Sequence, residues 1–151
     1  ALTTEIAGLD AQLAQTAAAD PVVARLRTVP GVGAVVALSF RAFVDDVHRF
    51  PHAAQVSAAI GLVPREDSSA ERRHRGHITK AGPSELRSLL VQASWVCWRP
   101  SRHGTLRAWT DQLAARRGKR IAVVALARRL SRILFAIWRD QTVFEGSRQA
   151  A

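Results

Sequence analysis

The sequence has a single cysteine, Cys97. An internal disulfide framework is therefore excluded, and the composition fits a reducing compartment. No uncharged apolar run reaches the roughly 18 residues that a membrane span requires. No signal peptide is read at its start. No stretch alternates with period two for long enough to predict a strand. There is no Walker loop, no G-x-S-x-G elbow and no internal repeat. Four of the five histidines fall in two pairs, and neither pair predicts a zinc site. His48 and His52 have H-x-x-x-H spacing but straddle Pro51, which disfavours a continuous helix. His74 and His77 lack carboxylate or Cys partners at ligand spacing. The expectation for this chain is no metal.

Acidic residues are nearly missing from one long stretch. Residues 72–139 carry 16 basic groups and only two acids, Glu85 and Asp111, a balance of +14. Residues 1–71 carry 5 basic and 8 acidic groups, or −3, and the tail from Asp140 is −1, for +10 overall. So one-sided a field predicts a polyanionic partner, nucleic acid first. A membrane surface is disfavoured, because every basic residue except Lys80 and Lys119 is arginine, the better phosphate fork. The 151 residues are 48% hydrophobic, enough for one folded domain with a real core. The chain opens without Met and inside a helical pattern, which is the expectation for a segment of a longer protein.

Helical periodicity runs almost throughout. Leu2, Ile6, Leu9 and Leu13 repeat along a first helix to about Ala19, read as the end of a helical or coiled-coil arm. Asp20-Pro21 supplies an N-cap and a first-turn proline for a helix through Arg27. The turn Val29-Pro30-Gly31-Val32-Gly33 follows, then a third apolar helix with Val35, Val36, Leu38, Phe40 and Phe43. Helix, P-G-V-G, helix is the pattern of a helix-hairpin-helix unit, in which Gly31 and Gly33 let backbone N–H groups approach a phosphate. Further helices are expected over about His52 to Ile60, Ser84 to Trp98 (ended by Pro100), His103 to Arg117 and Lys119 to Arg139. On the last, Val123, Leu126, Leu130, Ile133, Leu134 and Ile137 share one face, with Arg128, Arg132 and Arg139 opposite. Cys97 falls on the apolar side of its helix and reads as core. The domain reads as all-α, about seven helices with a helix-hairpin-helix-like unit and a serine-bearing loop.

That loop runs from Gly61 to Gly82: G-L-V-P-R-E-D-S-S-A-E-R-R-H-R-G-H-I-T-K-A-G. Ser68 and Ser69 stand there among Arg65, Arg72, Arg73, Arg75 and Lys80, with Arg87 on the helix beyond. A hydroxyl among fixed cations suits attack on a phosphodiester, because it couples a nucleophile to charge that stabilises the phosphorane. A solvated basic loop has the same composition.

Taken in order and spacing, P-G-V-G, R-F-P, G-L-V-P-R-E-D-S-S, G-H-I-T-K-A-G and L-R-S-L-L-V-Q-A-S-W resemble the C-terminal transposase domain of the insertion sequence 110 family. The resemblance is close over about Leu26 to Trp95 and looser beyond. It implies a serine recombinase whose RuvC-like N-terminal domain, with four acidic ligands for a divalent metal (Mg), lies outside this chain. It implies that residues 1–19 end the connecting arm and that residues 20–151 form the transposase domain. By position the family's catalytic serine falls on Ser69, with Ser68 beside it. Ala70 stands where the family usually shows Gly, and Glu66 and Asp67 precede the serines. The implied partners are DNA, a guide (bridge) RNA and, at full length, further copies of the protein. The implied location is the cytoplasm, at the nucleoid, and the isolated chain is expected to bind without cleaving. The alternatives are a non-catalytic helix-hairpin-helix module and a protein-interaction domain.

Overall fold

Twenty-two residues, Lys119–Asp140, form α7, on which at least four of the other helices pack. Its apolar residues recur three and four apart, so Val123, Leu126, Leu130, Ile133, Leu134 and Ile137 are all buried, as the sequence predicts. The computed structural model describes residues 1–69, 72–99 and 104–146. Before α7 come α1 (Leu2–Ala19), α2 (Pro21–Leu26), α3 (Ala34–Val44), a 3₁₀ turn (Val47–Arg49), α4 (Ala53–Ile60), β1 (Pro64–Ser69), β2 (Arg72–Ile78), α5 (Ser84–Cys97) and α6 (Thr105–Arg117). The fold is all-α, with seven α-helices and one two-stranded sheet among the described residues. Pro100 and His103, expected to end one helix and open the next, lie outside the described residues.

Local chemistry sets the boundaries. Asp20 caps α2, its carboxylate accepting from Val22 N–H at 2.9 Å, with Pro21 in the first turn. Gly61 ends α4 in the left-handed region. Arg41 of α3 reaches back to Asp20 at 3.3 Å and lies over the Trp138 ring of α7, 4.7 Å from its centroid. Phe40 meets Trp138 edge-on. Thus α2, α3 and α7 are joined through one arginine and one indole.

The core gathers α2, α3, α4 and α5 around α7, with Phe40, Phe135, Leu26, Ile60, Leu62 and Leu90 among its fully buried side chains. Cys97 is buried there, as read from the sequence. Four buried hydroxyls were not expected. Ser57 of α4 and Ser131 of α7 bond each other at 2.9 Å, while Ser94 and Thr110 bond carbonyls one turn back. Each thereby satisfies the polar group that burial would otherwise penalise.

On two helices the apolar residues are not all inward. Val35 is exposed, and the inward face of α3 is Val36, Ala37, Phe40 and Val44. On α1 the whole stripe Leu2, Ile6, Leu9 and Leu13 faces outward, and only Ala17 is buried.

Candidate nucleic-acid interface and serine hairpin

The serine stretch, expected as a loop, is a β-hairpin. β1 and β2 pair antiparallel, with Ser69 opposite Arg72, Ser68 opposite Arg73, Asp67 opposite His74 and Glu66 opposite Arg75. Between the pairs Pro64–Ile78 and Glu66–Arg75, Arg65 stands against two residues, Gly76 and His77, which makes a bulge. No third strand joins this sheet among the described residues. That is why the sequence hid it: a ribbon that is polar along both strands leaves no period-two apolar signal. The Ser69–Arg72 and Ser68–Arg73 pairs are consecutive rungs of that register. Ala70, where the sequence departs from the family pattern, lies outside the described residues.

The hairpin rises from a closely fitted root. Thr79 N–H donates to Val63 O at 2.9 Å and Lys80 N–H to Gly61 O at 3.1 Å, extending the pairing down to the end of α4. Gly82 has φ +77°, and a Cβ there would collide with the carbonyl oxygen of Ala59. No residue but glycine fits that contact without moving the backbone. Arg87 of α5 closes the joint. Its Nη1 donates to Ile60 O and to Ala81 O, both at 3.1 Å. Arg87 was expected as a nucleic-acid contact, and it stands instead where it clamps α4 to the strand that returns from the hairpin.

The other expected contacts divide in the same way. Arg65 and Lys80 are exposed at the hairpin base. Gly33 caps α3 and is exposed, and a Cβ added there would meet nothing within 4 Å. Gly31, in contrast, has φ +85° and packs on α5, where a Cβ would lie 3.0 Å from Cys97 N. On α7, Arg132 is exposed but Arg128 is half-buried. Arg139 bonds Asp140 at 2.9 Å, which holds its guanidinium above its ordinary value. Burial and the nearby Arg132 lower that of Arg129, which lies over the Trp109 ring, 4.5 Å from its centroid. The ridge is therefore narrower than the sequence angles suggest.

Two features were missed. Arg116, Arg117, Lys119 and Arg120 are all exposed around the α6–α7 turn at Gly118. The run R-R-G-K-R was the legible signal. Lys119 and Arg120 occupy the first turn of α7, where the helix dipole disfavours positive charge, so stability alone does not account for them. The second is an exposed Trp95 stacked on Trp98.

The sequence model described as Transposase IS116/IS110/IS902 family matches residues 23–108 of the 151. The chain belongs to that family. It is 36% identical over 141 residues to the transposase for insertion sequence element IS1111A of Coxiella burnetii, covering 92% of this chain and 39% of that protein. It is 32% identical over 145 residues to a probable family 20 transposase of Pseudomonas aeruginosa, covering 95% and 43%. An insertion element IS110 protein of Streptomyces coelicolor, 43.6 kDa and uncharacterized, is 32% identical over 139 residues, covering 91% and 34%. The chain thus spans about two fifths of the length of the curated relatives it matches.

The P-G-V-G turn, the hairpin and α5 all lie inside the matched span of this transposase domain. Among the described residues no three His, Cys, Asp or Glu come together. The divalent metal that the resemblance implies has no ligand set among them. No described helix is long and apolar enough to cross a membrane.

Proposed function

We propose that this chain is the DNA-binding, strand-joining domain of a transposase in which Ser69 is the nucleophile. The observation that supports this most is the register of the hairpin. Each serine is the direct cross-strand partner of an arginine, Ser69 of Arg72 and Ser68 of Arg73. The register thus sets each hydroxyl-bearing residue at a paired position beside a guanidinium-bearing one on the neighbouring strand. Arg72 is the first residue to neutralise charge on a phosphoryl group at Ser69, and Arg65, Arg73, Arg75 and Lys80 add to the local field.

In the step itself the Ser69 Oγ–phosphorus bond forms while the bond from phosphorus to one strand oxygen breaks. That strand end leaves as a hydroxyl, taking up a proton, and the serine gives up its own. Attack by a strand hydroxyl on the phosphoseryl link then joins DNA and restores the serine. Glu66 and Asp67 precede the serines and oppose binding of a bare phosphate, so a phosphate enters only where the arginines outweigh them. A free serine hydroxyl is weak, so the isolated chain binds DNA without cutting it.

Binding uses the cations outside the hairpin, Arg132 and the R-R-G-K-R turn, together with the exposed Gly33 that caps α3. A guide RNA in the full-length protein would meet the same +14 field. The outward stripe of α1 is read as part of a helical arm that packs on another helix at full length, from the same or another copy.

The test is peptide mapping of a trapped protein–DNA adduct in the full-length enzyme. Ser69→Ala should abolish the adduct and strand exchange while leaving nucleic-acid binding within about twofold, and Ser68→Ala should retain substantial activity. A phosphoseryl link on Ser68, or full recombination by Ser69→Ala, refutes the assignment.

A further inference from the structure

The outer face of α5 carries Ser88, Gln92 and Trp95, with Arg99 just beyond the helix, and all four are exposed. This stripe is polar except for one indole. Trp95 is 45% exposed, and its ring stacks on Trp98 with centroids 5.6 Å apart and planes 24° from parallel. Trp98 is itself fixed. Its Nε1–H donates to Asp111 Oδ1 at 2.7 Å, and Asp111 Oδ2 is paired with Arg107 Nε at 3.6 Å. The indole pair is thus held from α6, and one of the two acids in residues 72–139 is occupied in holding it.

The same two turns of α5 receive the P-G-V-G turn, since Gly31 packs against Ala93 and Cys97. Helix, turn and indole pair are therefore set in one frame. An aromatic ring held in place in a strongly basic surface is what an unpaired nucleobase stacks on. A protein hot spot would have other apolar side chains around the indole. Here its helical neighbours on the open side are a serine, a glutamine and an arginine.

We propose that Trp95, backed by Trp98, is a stacking platform for an unpaired base of a DNA single strand, with Arg99 meeting the adjoining phosphate. The choice of DNA rests on the transposase reading, in which strand exchange opens a duplex. The platform itself is independent of which serine attacks. Gln92, one turn back, is placed to hydrogen-bond the base edge.

The experiment titrates the 151-residue chain, at moderate salt, with a deoxythymidine oligomer, its abasic counterpart, a duplex and a uridine oligomer. The readouts are tryptophan quenching and fluorescence anisotropy. The thymidine oligomer should quench the parent protein. Trp95→Ala should weaken its binding about tenfold or more, leave the abasic strand and the duplex within about twofold, and keep the parent's melting temperature. Trp95→Phe should restore most of the affinity, since a phenyl ring still stacks. Equal losses for all four ligands, or none for the thymidine oligomer, overturn the platform. A Trp95-dependent loss confined to the uridine oligomer overturns the choice of DNA. None of these outcomes depends on strand cleavage, so the result stands apart from the fate of Ser69.

Discussion

Replacing Gly82 by alanine tests whether the root of the hairpin is as tightly fitted as it looks. The residue has φ +77°, and the added Cβ would meet Ala59 O well inside the ~3.5 Å at which atoms normally touch. Two costs add. A left-handed conformation costs an L-residue about 1–2 kcal/mol, and forcing a methyl into a filled backbone contact costs about 1–3 kcal/mol. The expected loss is about 3 kcal/mol, which for a domain of this size lowers Tm by about 10 °C. Thermal unfolding followed by circular dichroism measures it. The strain has one local escape, which is to part the root. Hydrogen exchange at Thr79 and Lys80, whose amides bond Val63 O and Gly61 O, would then quicken. Gly8→Ala is the control: nothing lies within 4 Å of its site in α1, so that substitution should strengthen its helix by roughly 0.5–1 kcal/mol. A Gly82→Ala protein that melts within about a degree of the parent, with unchanged exchange at both amides, refutes the interlock.

Other perturbations have equally definite outcomes. Asp20→Ala removes both the α2 cap and the partner of Arg41, and should cost about 1–2 kcal/mol in urea unfolding, most of it from the cap. Ser57→Ala should cost about 1 kcal/mol, because Ser131 still donates to Arg128 O at 2.7 Å. Ser131→Ala should cost more, because the buried Ser57 hydroxyl then loses the bond from α7; the double replacement should cost less than the sum of the two. Arg132→Glu should weaken binding to all DNA sequences alike and reduce the salt dependence by about one phosphate contact. Arg128→Glu, on a half-buried side chain, should instead lower Tm. If the two arginines behave alike, the distinction between them is wrong.

Much of this was legible in the sequence. The α7 face needed no structure, because six apolar residues at three-and-four spacing all turned out buried. The Asp20-Pro21 start of α2 and the Gly61 end of α4 follow from the conformations those residues favour. The hairpin was not legible, since pairing between two polar strands satisfies backbone groups without writing a pattern into the side chains. For the same reason Arg87 looked like one more cation. Only the fold reveals the carbonyls of Ile60 and Ala81 converging on its Nη1. Gly31 and Gly33 look alike in P-G-V-G, yet one fits against α5 and the other is open to solvent. Sequence spacing shows that glycine is wanted and does not show what approaches it.

The family match ends at residue 108, and α7 begins at Lys119. Yet α2, α4, α5 and α6 all pack on α7. A ribosome making residues in order, at roughly 5–20 per second, releases the whole serine motif some seconds before α7 exists. Until then Leu90, Ile60 and Phe40 pack only among the earlier helices, without the α7 face that completes the core. A chain that stops in that interval carries the serine motif without the helix on which α2, α4, α5 and α6 pack. The last helix lies outside the matched span, and it completes the core that α2, α4, α5 and α6 share.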